Sequence, residues 1–161
     1  MITCHFENGD KVGLRHLVVG VIIIQNDKIL LCKRGTFRGK PILEFGKWSL
    51  IGGFVDRDET LVQAAKREVL EETGWNIDNL KLFKIVDNPN RPNDNGRQNV
   101  SIIFTADAVN QEMTTNEEVL DLKWFSLDSL PPKEEMAFDH NDSIVLYRKY
   151  IKKEFLLPVL G

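Results

Sequence analysis

The sequence predicts an α/β fold in which helices cover a sheet. Three observations carry that expectation. HLVVGVIIIQNDKILLCKRG (16–35) holds a β-branched apolar run too continuous for a strand with one wet face, so burial on both faces is expected. Residues 59–73 and 142–156 carry apolar side chains at helical spacing. Strand-like and helix-like stretches alternate loosely along 161 residues, a length that favours one domain over 1–161 and allows a real core.

The elements follow in order. Residues 16–35 read as two strands joined by a turn at Gln25-Asn26-Asp27-Lys28. TFRGKPILEFG (36–46), with two glycines and a proline, reads as loop. KWSLIGGF (47–54) reads as a short strand broken at Gly52-Gly53. Asp58 is the expected N-cap of a helix from about Glu59 to Thr73, with Gly74 as its C′ residue. Val62, Ala65 and Val69 form its expected core stripe, leaving Ala64, Glu68, Glu71 and Glu72 around the other side. Residues 80–89 and 99–109 read as paired strands. The turn-rich loop 88–98 between them is open to a solvated connection or, through Arg91 and Arg97, a substrate contact. Residues 121–130 give another strand, ended by Pro131-Pro132. Ile144, Tyr147, Ile151 and Phe155 mark the last helix.

Composition narrows the function. The chain is 42% hydrophobic and 28% charged, as in ordinary soluble domains. A net charge of −3 supplies no global field for nucleic acid, although Lys33, Arg34, Arg38 and Lys40 crowd one short stretch. Two cysteines make no disulfide framework: Cys32 sits in an apolar run, and Cys4-His5 lacks the second pair a zinc site needs. No run approaches ~18 apolar residues, and the N-terminus lacks a signal-peptide core, so no membrane partner and a cytoplasmic location are expected.

The chemistry concentrates in GGFVDRDETLVQAAKREVLEETGW (52–75). Glu68, Glu71 and Glu72 share one helical face, where like charges cost roughly 0.2–0.5 kcal/mol per pair. A solvated face with ion pairs is the ordinary explanation, and Arg67 with Glu71 at i,i+4 would serve it. The surroundings point elsewhere. From Gly53, five residues lead to Glu59 and seven more to Arg67-Glu68; then come Val69, Glu71-Glu72, Gly74 and Trp75. Seven fixed residues at ordinary abundance would recur by chance on the order of once per million such chains.

This pattern resembles the box of the Nudix hydrolase family, with Trp75 where an aliphatic residue is usual and Ile51 where proline is common. The resemblance extends over residues 14 to about 150, through ILLCKRG, GKWSLIGGFVDRDET, NPNRP, QNVSIIF, NEEVLDLKWFSLDSLP and AFDH, and is strongest toward an ADP-ribose pyrophosphatase-like subgroup. It implies an α/β/α sandwich with a mixed sheet between helices. It further implies a Mg²⁺-dependent diphosphohydrolase, with Mn²⁺ as a substitute, acting on a nucleotide substrate. Glu68, Glu71, Glu72 and the Gly52 carbonyl are then the implied metal ligands, Arg67 orients Glu71 or Glu59, and Glu59 anchors the loop. The general base is a box glutamate or a later one, Glu118 first and Glu117 second. Arg34, Trp48, Phe54, Arg91 and Arg97 are the candidate substrate contacts. Trp48 could equally fill the core and Arg34 form a surface ion pair; His140 could cap the last helix and Phe138 anchor the core.

ADP-ribose is the favoured substrate, although Pro89 and Pro92 only flank the place of the proline that marks many such enzymes. The alternatives are a house-cleaning nucleoside triphosphate pyrophosphatase and a non-catalytic nucleotide sensor. A sensor with a DNA-binding domain after AFDH is not expected from about twenty remaining residues. Dimerisation is common among similar enzymes, so a homodimer stays open.

Overall fold

The computed structural model describes residues 2–157 and the backbone of 159–160. Its strands are β1 (Ile2–His5), β2 (Lys11–Leu14), β3 (Leu17–Gln25), β4 (Lys28–Arg34), β5 (Thr36–Phe37), β6 (Lys40–Pro41), β7 (Trp48–Ser49), β8 (Trp75–Val86), β9 (Val100–Gln111), β10 (Val119–Ser126) and β11 (Val159–Leu160). The helices are α1 (Leu61–Thr73) and α2 (His140–Ile151). The main sheet runs β10-β4-β3-β9-β8-β11, with β7 added beside β4. It is mixed: β3 is parallel to β9 and β11 to β8, while β3–β4, β4–β10 and β8–β9 are antiparallel.

The double burial expected of β3 holds. Val19, Val21 and Ile23 join Ala64, Ala65 and Val69 of α1 in one core, and Ile22 joins Phe83, Ile103 and Ile144 in the other, which α2 covers. The sheet is thus a layer between two helices. The β3–β4 turn also holds: Asn26 and Asp27 have φ of 49° and 60°, the two left-handed residues of a tight hairpin. Cys32 fills core space as expected.

Several boundaries differ. Thr60, not Asp58, caps α1: its Oγ accepts from Gln63 N while the Gln63 side chain accepts from Thr60 N, a reciprocal pair that Asp58, at φ 71°, is not placed to make. Gly74 ends the helix left-handed at φ 71°, as expected. Val62 is 43% exposed and Ala64 fully buried, so the core stripe lies one position round from the expected one. β8 starts at Trp75, directly after the helix stop, and the 36–46 segment contains the small β5–β6 hairpin. β10 ends at Ser126, before the prolines, and α2 covers His140–Ile151 rather than 142–156.

Candidate active site

Gly52-Gly53 and α1 bring the box residues to one end of β3. The carbonyls of Ile51 and Gly53 accept from Val21 and Val19, which lays this loop along β3. A Cβ on Gly52, at φ 147°, would stand 2.2 Å from the Val19 carbonyl oxygen. A Cβ on Gly53 would stand 2.5 Å from a Glu68 carboxylate oxygen. The glycine pair therefore lets backbone meet carboxylate at close range. Gly52 N donates to Glu72 at 3.4 Å, and among the described hydrogen bonds the Gly52 carbonyl accepts none.

Arg67 organises the acidic face from behind. It donates to Glu59 at 2.7 Å, Glu68 at 3.0 Å, Glu71 at 3.2 Å and the Phe54 carbonyl at 3.0 Å. The hydrogen bond to Glu59 is the main reason its pKa is raised, and Arg67 in turn holds the Glu59 carboxyl low. Glu59 also accepts from Asp56 N at 2.7 Å, which closes the loop before the helix. Arg67 thus binds both Glu59 and Glu71, and Glu59 ties the loop to the helix.

In front of this face lies a cleft of about 670 Å³. Gly52, Gly53, Glu68, Glu72 and Glu118 line its acidic side; Arg34, Lys40, Arg91 and Arg97 line it with positive charge. Burial drives Glu72 up to about 8, with Glu68 the next cause, and burial also raises Glu68 and Glu118. Carboxyls raised by burial and mutual repulsion are a set that a cation would relieve. The donors are all oxygen, the chemistry of a hard divalent ion. Among the described residues no three His, Cys, Asp or Glu side chains enclose a metal by themselves, so the set is an open lip rather than a cage. An open lip suits Mg²⁺, which keeps waters and takes phosphate oxygens.

The expected contacts divide. Glu71 turns to Arg67 and does not line the cleft, because its position on α1 faces the guanidinium. Arg34 lines the cleft, donates Nε to the Leu43 carbonyl at 2.6 Å and lies 5.2 Å from the Phe138 ring; it forms no surface ion pair among the described residues. Its pKa is lowered by burial. Arg91 reaches the cleft but is ion-paired with Asp139 and bonded to Ser101 at 2.7 Å. Arg97 and Phe54 both line the cleft, 5.7 Å apart, with Phe54 43% exposed at its mouth. Trp48, expected as a substrate contact, does not line the cleft: it is 7% exposed and packs edge-on against Phe125 in the core under α2, because β7 pairs with β4 there.

Three residues do more than expected. Phe138 lines the cleft, with the guanidiniums of Arg34 and Arg91 at 5.2 Å and 5.4 Å from its ring. His140 accepts from Leu50 N at 3.1 Å through Nδ1, stays neutral through burial, and also lines the cleft. Glu117 faces away from the cleft, toward Arg38 and Gly39. AFDH was the only local signal for the first two; their partners lie far off in sequence.

This fold with this acidic lip defines a domain class, and the NUDIX domain model matches residues 14–147. The chain belongs to the Nudix hydrolase family. It is 33% identical over 134 residues to the ADP-ribose pyrophosphatase of Methanocaldococcus jannaschii, covering 83% of this chain and 73% of that one. It is 33% identical over 116 residues to the oxidized purine nucleoside triphosphate hydrolase of Mus musculus, covering 69% and 66%. With the NAD-capped RNA hydrolase NudC of Pseudomonas aeruginosa it shares 33% over 119 residues, 70% of this chain but only 36% of that longer protein. Among solved structures, an ADP-ribose pyrophosphatase from Streptococcus suis aligns at TM-score 0.70 and 25% identity, covering 92% of this chain and 100% of that one. The NUDIX domain of Shewanella oneidensis NrtR, crystallised with ADP ribose, aligns at TM-score 0.68 and 26% identity, covering 87% and 90%.

Proposed function

We propose that this protein hydrolyses the diphosphate of a nucleoside diphosphate linked to another moiety, with an ADP-ribose-like molecule as substrate, in the cytoplasm. The observation that carries the reading is one cleft with two chemistries: it is lined by the carboxylates of Glu68, Glu72 and Glu118 and by the guanidiniums of Arg34 and Arg97. A diphosphate is an anion that needs both, cations of the protein for its outer oxygens and a carboxylate-held metal at the reacting phosphorus.

Glu68, Glu72 and the Gly52 carbonyl would hold Mg²⁺, or Mn²⁺ in its place. When bound, the ion neutralises phosphate charge and lowers the pKa of a coordinated water. The chain's own residues do the rest. Arg67 fixes Glu68 so that its carboxylate stays against Gly53. Arg34 and Arg97 bind the phosphates, Phe54 offers a face for a base or sugar, and Phe138 packs its ring against the Arg34 and Arg91 guanidiniums. Glu118, raised by burial, accepts the proton of the attacking water.

Product analysis over a nucleotide panel with Mg²⁺ tests this. ADP-ribose should give AMP and ribose 5-phosphate. Glu72→Gln should lose more than the roughly 10–100-fold typical of a disturbed outer-shell partner. Full turnover in that variant, or in excess EDTA, would refute the metal assignment. A second reading, a nucleoside triphosphate pyrophosphatase, draws on the mouse relative and would give a monophosphate and pyrophosphate instead. Tight nucleotide binding without products would mark a sensor.

A further inference from the structure

We propose that Glu117 is a positioning residue: its carboxylate clasps the tip of the β5–β6 hairpin to the loop carrying Glu118, and so sets how firmly the cleft holds the substrate. The proposal deepens, and its kinetic arm rests on, the diphosphohydrolase reading. Glu117 Oε1 accepts from Arg38 N at 2.7 Å and Oε2 from Gly39 N at 3.4 Å. Arg38 and Gly39 have φ of 50° and 72°, two successive left-handed residues of a two-residue hairpin turn. Successive N–H groups at such a turn form a concavity that favours an anion.

The backbone joins the same two segments at the base of the hairpin. Gly35 N donates to the Glu118 carbonyl at 2.7 Å and Thr36 N to the Glu117 carbonyl at 2.9 Å. A Cβ on Gly35 would stand 2.6 Å from the Glu117 carbonyl oxygen, so the two chains touch without room for a side chain. The hairpin supplies Phe37, Lys40 and Pro41 to the cleft wall, and Glu118 lines the same cleft. With two residues per strand, β5–β6 is far too short to hold its shape in water alone. Among the described residues, the Glu117 carboxylate is the one side chain from outside the hairpin that hydrogen-bonds its tip. Adjacent glutamates thus divide the work: Glu118 lines the cleft and Glu117 holds the neighbouring hairpin of its wall.

The test compares wild type with Glu117→Ala and Glu117→Gln. Amide exchange at Arg38 and Gly39 should quicken about tenfold in the alanine variant and less in the glutamine variant, which keeps one acceptor oxygen. With ADP-ribose and Mg²⁺, KM should rise about tenfold in the alanine variant while kcat stays within about twofold, and glutamine should recover part of the loss. Unchanged exchange overturns the clasp. A fall in kcat at constant KM also overturns it, by assigning Glu117 to the chemical step. If the alanine variant does not fold, the glutamine variant decides by the same two readouts. If wild type does not turn over ADP-ribose, the functional reading fails, while the exchange comparison still decides the clasp.

Discussion

Replacing Glu72 by glutamine should stabilise the metal-free protein at alkaline pH, although it removes a residue of the proposed metal site. Glu72 is buried beside Glu68, and its pKa is pushed up to about 8. A carboxyl whose folded-state pKa lies above its unfolded value favours folding fully only below that unfolded value, near 4.5, and the contribution is lost as pH rises toward 8. Each pH unit in that window costs about 1.4 kcal/mol. Between pH 5.5 and 8.5 the ionising carboxylate therefore removes on the order of 3 kcal/mol that a neutral amide does not. At roughly 2–4 °C per kcal/mol for a chain of this size, the glutamine variant should gain roughly 6–12 °C relative to wild type over that range. Thermal melts in EDTA at both pH values measure it. On the proposed metal assignment, saturating Mg²⁺ should then raise the wild-type Tm at pH 8.5 far more than the variant's, because the variant lacks the position-72 charge that the ion would neutralise. A variant that melts below wild type at pH 8.5 in EDTA would refute the reasoning, since repulsion would then not be what Glu72 endures.

Two further outcomes follow from local geometry. Thr60→Ala removes the hydroxyl that accepts from Gln63 N, while the backbone N–H of residue 60 still donates to the Gln63 side chain, and should cost about 1 kcal/mol in urea denaturation; a loss within about 0.2 kcal/mol would show that the hydroxyl cap is not what starts the helix. His140 is kept neutral by burial, then by Arg91 and Arg34, so its folded pKa lies well below 6.5. Its stabilising contribution is complete above the unfolded pKa and declines as pH falls below it toward the folded value, by about 1 kcal/mol between pH 6.5 and 5.5. His140→Asn should flatten the denaturation free energy over that interval by this amount, and an unchanged slope would remove His140 as the cause.

What could be read in advance was what short spacing dictates. G-x5-E-x7-RE-x2-EE-x-G places Glu59, Arg67, Glu68 and Glu72 within one loop and three helical turns, and the structure brings all four together. The unbroken apolar run of β3 required cover on both faces, and the sheet has it. Asn26-Asp27 could hardly do other than turn. The misjudged cap shows the limit of this reading: Asp58 and Thr60 are both good capping residues, and the choice went to Thr60, whose side chain finds Gln63 three residues on.

Only the tertiary structure decided which cleft arginines are ion-paired and which, among the described residues, are not. Arg91 finds Asp139 forty-eight positions away, because the β8–β9 loop folds back against the start of α2. His140 meets Leu50 N across ninety positions, and Glu117 meets Arg38 across seventy-nine. Such pairs depend on sheet register and on how loops pack over the ends of strands, neither of which leaves a periodic trace in the chain. Local spacing sets which side chains share a face; long-range closure sets what that face meets. The sequence alone therefore determined the acidic lip, and the closed fold determined the cationic and aromatic wall that turns the lip into a site.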